Sequence, residues 1–90
     1  MPSYLVETYL PRGDLRERSA RERRARAAAE ELAARGRRIR LEHTIHIPED
    51  EICFFVFDAS SSRDAALVAE RAGLDAVRIV EAISSEEEER

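Results

Sequence analysis

The residues best suited to bind a metal ion or take part in catalysis lie close together, in the segment from Arg38 to Ala59. That segment contains both histidines, His43 and His46, and the only cysteine, Cys53. Imidazole, thiolate and carboxylate groups are the usual protein ligands of nickel and zinc. Because side chains alternate along a strand, two histidines three positions apart point to opposite faces. Metal binding in this segment would therefore use His46 and not the two histidines together.

Turn-forming residues divide this segment into a predicted hairpin, with its turn at Pro48–Glu51. Pairing across the turn places Glu42, Thr44 and His46 opposite Phe57, Phe55 and Cys53. Alternation puts these six residues on one face, which we expect to be open. The other face, which we expect the helices to cover, holds Ile39, Leu41, His43, Ile45, Ile47, Ile52, Phe54 and Val56.

The expected open face supplies two sets of candidate site residues. Glu42, His46 and Cys53 are the candidate metal ligands, and Glu7 is the nearest additional carboxylate. A carboxylate in an apolar strand must reach solvent, an arginine or a metal, so an ion pair of Glu7 with Arg40 or Arg78 is an equal alternative. If the face binds an organic molecule instead, we expect a pocket lined by Tyr9, Phe55 and Phe57.

The elements that must position these residues follow the order β-α-β-β-α-β. Runs of strand-forming residues indicate the strands, and apolar residues at helical spacing indicate the helices. Glycine or proline marks the ends of several of these segments. They are a strand over 3–10, a helix over 14–35 capped by Asp14, the hairpin over 38–59, a helix from Ser60–Ser62 to Gly73 and a strand over 76–83.

This order predicts an α+β fold, the ferredoxin-like sandwich. Right-handed crossovers place both helices on one face of a four-stranded antiparallel sheet. The other sheet face has no cover from its own chain, and we expect a homodimer that packs open face on open face. Residues 1–83 form the single predicted domain, and residues 84–90 form an acidic flexible tail.

Composition narrows the class of protein. One cysteine in 90 residues excludes an internal disulfide framework and the multi-cysteine zinc patterns. No segment approaches the ~20 apolar residues that span a bilayer, and no export signal is visible. We therefore expect a cytoplasmic protein that is not inserted in a membrane. Glycine-rich phosphate loops, nucleophile elbows and other enzyme motifs are also missing from the sequence.

Charge is unevenly distributed along the chain. Residues 12–40 contain eleven arginines and five acidic residues, whereas the remainder contains four arginines and fourteen acidic residues. Such asymmetry sometimes marks a nucleic-acid surface. Here the net charge is −4 and no aromatic residues alternate with the arginines. We expect a solvated helix face and no nucleic-acid partner.

Three stretches carry a resemblance to a known family: MPSYLVETYLP at the start, HIPEDEICFFVFDA from His46 to Ala59, and AERAGLDAVRIVEAI from Ala69 to Ile83. They resemble the small bacterial proteins of the family of unknown function numbered 4242, whose members are often described as nickel-binding. The resemblance implies a dimeric ferredoxin-like sandwich that holds nickel. It implies no particular reaction and no particular ligand residues.

These observations leave three hypotheses. The first is a dimeric metal-binding protein, with nickel as the favoured ion, that acts in binding or homeostasis and not in turnover. The second is a dimeric α+β barrel that encloses a small organic ligand as an enzyme or carrier. The third is a protein-interaction module that works through the arginine-rich helix.

Overall fold

Residues 2–83 are described in a computed structural model, and they form four strands and two helices. The strands are β1 (Ser3–Tyr9), β2 (Ile39–Ile47), β3 (Ile52–Ala59) and β4 (Arg78–Ala82), and the helices are α1 (Leu15–Ala34) and α2 (Ser62–Arg71). A single 3-10 turn, Pro48–Asp50, joins β2 to β3 at the predicted position. The predicted acidic tail, 84–90, lies outside the described residues.

The strands form one antiparallel sheet in the order β2-β3-β1-β4. β1 and β2 are therefore parallel, with β3 between them, and α1 connects them as a crossover. β3 and β4 are likewise parallel on either side of β1, and α2 connects them. This is the predicted ferredoxin-like α+β arrangement.

Helix α1 forms where its cap and apolar spacing predict. The Asp14 side chain accepts a hydrogen bond from the backbone N–H of Glu17, which satisfies one of the free donors at a helix start. The buried stripe recurs at helical spacing and consists mostly of alanine: Ala25, Ala28, Ala29 and Leu32. Small side chains at these positions let the helix lie close to the sheet.

Helix α2 also matches its sequence signals. Ser61 caps it by accepting a hydrogen bond from the N–H of Asp64. Gly73 has a φ of 65°, the left-handed conformation that glycine adopts without strain at the end of a helix. Leu74, directly after it, is buried in the core as that motif requires.

The face assignment of the hairpin predicted from alternation is wrong for β3. Cys53, Phe55 and Phe57 are 0% exposed and belong to the core under the helices, together with Ala25 and Leu32 of α1. The physical reason lies in β1, where Tyr4, Val6 and Thr8 face the helices and are directly paired with Phe57, Phe55 and Cys53. The more voluminous, more apolar row is the one that the helices cover.

A bulge in β2 explains why the aliphatic positions of that strand do not all share one face. Leu41 pairs with Phe57 and His43 pairs with Val56, so Glu42 is an extra residue in the strand. Before the bulge, Ile39 and Leu41 are buried in the core as predicted. After it the alternation is inverted, and Ile45 and Ile47 become exposed on the open face.

Candidate functional site

The face of the sheet opposite the helices carries four rows of side chains, set by the register of the strands. Each row begins in β2 and crosses β3 and β1, and the first three rows continue to β4. In order, the rows are Arg40, Asp58, Ser3 and Ala82; His43, Val56, Leu5 and Val80; Ile45, Phe54, Glu7 and Arg78; and Ile47, Ile52 and Tyr9. We call this surface the open face.

A cluster of polar groups occupies the first row and the bulge beside it. Arg40 Nη2 lies 2.6 Å from Asp58 Oδ2, and Ser3 Oγ donates to Asp58 Oδ1 at 3.1 Å. The same hydroxyl lies 3.5 Å from Glu42 Oε2, and His43 Nδ1 lies 3.6 Å from Glu42 Oε1. We call Ser3, Arg40, Glu42 and Asp58 the acid cluster.

The pKa values of the two carboxyl groups in the acid cluster are shifted in opposite directions. A hydrogen bond to Asp58, together with partial burial and the charge of Asp58, raises the pKa of Glu42 above its ordinary value. Burial by itself would raise the pKa of Asp58, but hydrogen bonds from Glu42, Arg40 and Ser3 outweigh it and lower that pKa. As the pH falls, Glu42 therefore takes up a proton before Asp58 does.

An apolar groove of about 210 Å³ begins at the acid cluster and runs along the open face. Its polar end is formed by Ser3, Glu42 and His43. Its apolar walls are Leu5, Ile45, Val56, Ala82 and Ile83. Val56 is only 5% exposed yet does not belong to the core under the helices, which places the groove on the opposite side of the sheet.

The residues predicted to line an organic-ligand pocket are not brought together. Tyr9 is 58% exposed and lies on the open face, in the row of Ile47 and Ile52. Phe55 and Phe57 are wholly buried on the helix side of the same sheet. A pocket with all three side chains in its wall is therefore excluded, and the prediction of that lining was wrong.

The four candidate metal ligands are likewise divided between the two faces of the sheet. His46 and Cys53 are paired as predicted, but on the helix side. Glu42 lies in the acid cluster, and Glu7 Oε1 accepts from Arg78 Nε at 3.0 Å on the open face. That ion pair is the arginine alternative predicted for Glu7. Within residues 2–83, no three histidine, cysteine or acidic side chains converge in a way that suits a metal ion.

Cys53 also lacks the surroundings of a metal ligand or nucleophile. Burial raises the pKa of the Cys53 thiol, and the opposing effects of Arg21 and Arg18 do not cancel it. The thiol form is inert both as a ligand and as a nucleophile. The carbonyl of Cys53 accepts the Thr8 hydroxyl at 2.8 Å, so this residue is part of the hydrogen-bonded core.

Sequence reasoning missed Asp58, Ser3 and the bulge that brings Glu42 beside them. A signal was present: Asp58 is a charged residue at the end of an apolar strand, and such a group must find a partner. The antiparallel register of the hairpin places Arg40 opposite it. Ser3 comes from β1, and only the order of the strands brings it to this point.

No protein-family model, curated protein or solved structure matches this chain. None of the helices in residues 2–83 is long and apolar enough to cross a membrane.

Proposed function

We propose that the protein acts as a homodimer whose two open faces pack together and enclose a small organic ligand beside the acid cluster. The observation that carries this proposal is an apolar groove that ends at two neighbouring carboxyl groups, Glu42 and Asp58, both of which contact the Ser3 hydroxyl. The ligand is a compact molecule with an apolar body and one polar group. Binding, and not turnover, is the activity proposed.

The size of the open face supports pairing with a second copy. Four strands about 4.8 Å apart, with about seven residues each at 3.3 Å, give a face of about 19 by 25 Å. Two such faces bury on the order of 1,000 Å² between them, which reaches the lower bound for a specific interface. Partly exposed aliphatic side chains such as Leu5, Ile45 and Val80 supply the apolar contact.

The charges of the open face also suit a two-fold pairing. Arg78 neutralises Glu7, and Arg40 neutralises Asp58, each within one copy. A second copy therefore meets two neutral pairs, apolar rows and the single additional carboxyl of Glu42. Burying charge that has a partner avoids the large penalty that isolated ions incur.

The groove suits a small ligand in volume and in chemistry. Ligand pockets span about 300–1,000 Å³ and combine apolar walls with a few polar groups. One groove alone has about 210 Å³, and twice that volume falls within this range. At the polar end, the Glu42 carboxyl and the His43 imidazole offer hydrogen bonds that fix the orientation of the ligand.

Oligomeric state tests the first half of the proposal. Light scattering after size exclusion should give a dimer for the wild type at micromolar concentration. Ile45→Glu and Leu5→Glu should each give a folded monomer, because each introduces charge on an apolar row. Ala27→Glu, an exposed alanine on α1, is the matched control and should stay dimeric. A monomeric wild type would contradict the proposal.

Ligand binding tests the second half. Methyl NMR with a library of small apolar fragments should shift the resonances of Leu5, Ile45 and Val56. Glu42→Ala should weaken the tightest fragments at least fivefold while leaving the dimer intact. Fragments that shift only resonances outside the groove would contradict the enclosed-ligand proposal. That outcome would not contradict the proposed dimer.

Nickel binding and a cytoplasmic setting stay predictions of the sequence. The four candidate nickel ligands lie within residues 2–83 but are not close to one another, so they do not form a coordination site there. Calorimetry on protein without a polyhistidine tag measures the uptake directly. Nickel binding that is weakened at least tenfold by His46→Ala would support the metal hypothesis.

A further inference from the structure

A second cavity lies at the other side of the sheet, between the first half of α1 and the edge strand β2. It has a volume of about 110 Å³, enough for a few water molecules or one small oxyanion. The cavity is independent of the open face, because it opens on the helix side. Its walls are polar and are formed by Arg18, Ser19, Glu22, Thr44 and His46.

Two atoms in the walls of this cavity have no partner. Thr44 Oγ1 and His46 Nε2 are each almost inaccessible to solvent, and within residues 2–83 neither forms a hydrogen bond. A buried polar atom without a partner costs free energy, and native structures leave few of them. Both residues lie on one face of β2 and line the same cavity, so one occupant lies beside both side chains.

The charges around the cavity favour a negative occupant. Within residues 2–83, Arg21, Arg24 and Arg26 of α1 form ion pairs with glutamates of the same helix. Arg18, which lines the cavity, forms no ion pair within these residues. The one acidic wall residue, Glu22, has Oε1 3.9 Å from Arg26 Nη2, which partly neutralises it.

Cys53 is paired with His46 across the strands, and Arg18 and Glu22 of the cavity wall also act on its buried thiol. Burial raises the pKa of this thiol most, and Arg21 and Arg18 then lower it more than Glu22 raises it. The named charges around that point are therefore positive on balance.

We propose that this cavity binds a small oxyanion of the size of phosphate. The Arg18 guanidinium supplies the charge, and the Ser19 and Thr44 hydroxyls and the His46 imidazole supply hydrogen bonds. Guanidinium and hydroxyl donors are the groups that bind phosphoryl oxygens. The proposal assigns His46 to an anion site, whereas the sequence hypothesis assigned it to a metal.

The test is a titration of the full chain with inorganic phosphate at constant ionic strength in sodium chloride, followed by amide NMR. We expect saturable shifts at Ser19, Thr44 and His46. Arg18→Gln should weaken phosphate binding at least tenfold, and Glu22→Gln should strengthen it at least twofold by removing the nearby negative charge. Arg23→Gln, an exposed arginine on the same helix, is the matched control and should stay within twofold.

The same variants distinguish an anion from a cation. A divalent metal held by His46 and Glu22 would be lost in Glu22→Gln and strengthened in Arg18→Gln, the reverse of the order expected here. That result with nickel, or shifts that chloride alone reproduces without saturation, would overturn the proposal. Filling of the cavity by water only, seen as no phosphate-dependent shift, would overturn it as well.

Discussion

Glu42 and Asp58 show how neighbouring carboxyl groups divide the titration between them. The raised pKa of Glu42 gives stability that is present below the ordinary value of 4.5 and is lost as pH rises through the folded-state pKa. The lowered pKa of Asp58 gives stability that is present above 3.8 and is lost as pH falls through its own folded-state pKa. The pair therefore stabilises the fold most between these limits.

Glu42→Gln should raise the free energy of unfolding at pH 7, because a neutral amide donates to the Asp58 carboxylate without repelling it. The site is exposed, so we expect about 0.5 kcal/mol. The gain should vanish near pH 4, where Glu42 already carries a proton. Urea unfolding at both pH values measures it, with Glu70→Gln on α2 as the control that shows no such dependence. A loss of stability at pH 7 would contradict the repulsion between the two carboxyl groups.

The two neighbouring phenylalanines of β3 should differ sharply in what they contribute. Phe55 is wholly buried under the helices, and Phe55→Ala should cost about 3–5 kcal/mol, a large part of the stability of a small domain. Phe54 is only partly buried, on the open face, and Phe54→Ala should cost clearly less. The comparison belongs in the Ile45→Glu background, so that dimerisation does not contribute. An equal or greater cost for Phe54→Ala would contradict the face assignment.

At the scale of elements, local signals predicted the order, the approximate bounds and the caps of the helices. Asp14, Ser61 and Gly73 act within a few residues of themselves, so the sequence contains their whole context. The face of β3 could not be predicted in the same way. Both sides of that strand are apolar, and the choice between Phe54 and Phe55 is made by β1, some fifty residues earlier.

The bulge at Glu42 is the other feature that alternation alone could not reveal. A regular strand would keep Ile39 and Ile45 on one face, and an inserted residue is the one local change that separates them. It carries Glu42 into the acid cluster, which is why the candidate site was only partly predicted. Ser3 and Asp58 reach the same point from other strands.

Deleting Glu42 tests whether the bulge is required by the packing. Because Glu42 is the extra residue, the shortened β2 becomes a regular strand that keeps Leu41 opposite Phe57 and His43 opposite Val56, with every later side chain on its present face. The deletion should therefore unfold with a free energy within about 1 kcal/mol of that of Glu42→Ala, which keeps the length of the strand and is the matched control. A deletion less stable than Glu42→Ala by several kcal/mol would show that the packing requires the bulge.

At the scale of the whole molecule, the arginine-rich helix is largely neutralised by its own neighbours. Arg21 pairs with Glu17, Arg26 with Glu22 and Arg35 with Glu31, each one turn apart along α1. Other arginines are used to join elements: Arg24 donates to the carbonyl of Ala72, and Arg37 pairs with Asp64 of α2 at 2.6 Å. These arginines hold the helix layer together, which reduces the charge left for a large anionic partner.

Binding to nucleic acid should therefore be weak and strongly dependent on salt. A protein of net charge −4 that neutralises only one or two phosphates gains little from the release of counterions. Fluorescence anisotropy with duplex and single-stranded DNA at physiological salt should give dissociation constants above about 100 μM, in the range of non-specific contact. Arg16→Gln and Arg23→Gln, both exposed on α1, should change the fold little and lower any residual binding together. Submicromolar binding would mean that the ion pairs of α1 open toward a phosphate backbone, and the arginine-rich helix would then be an interaction surface after all.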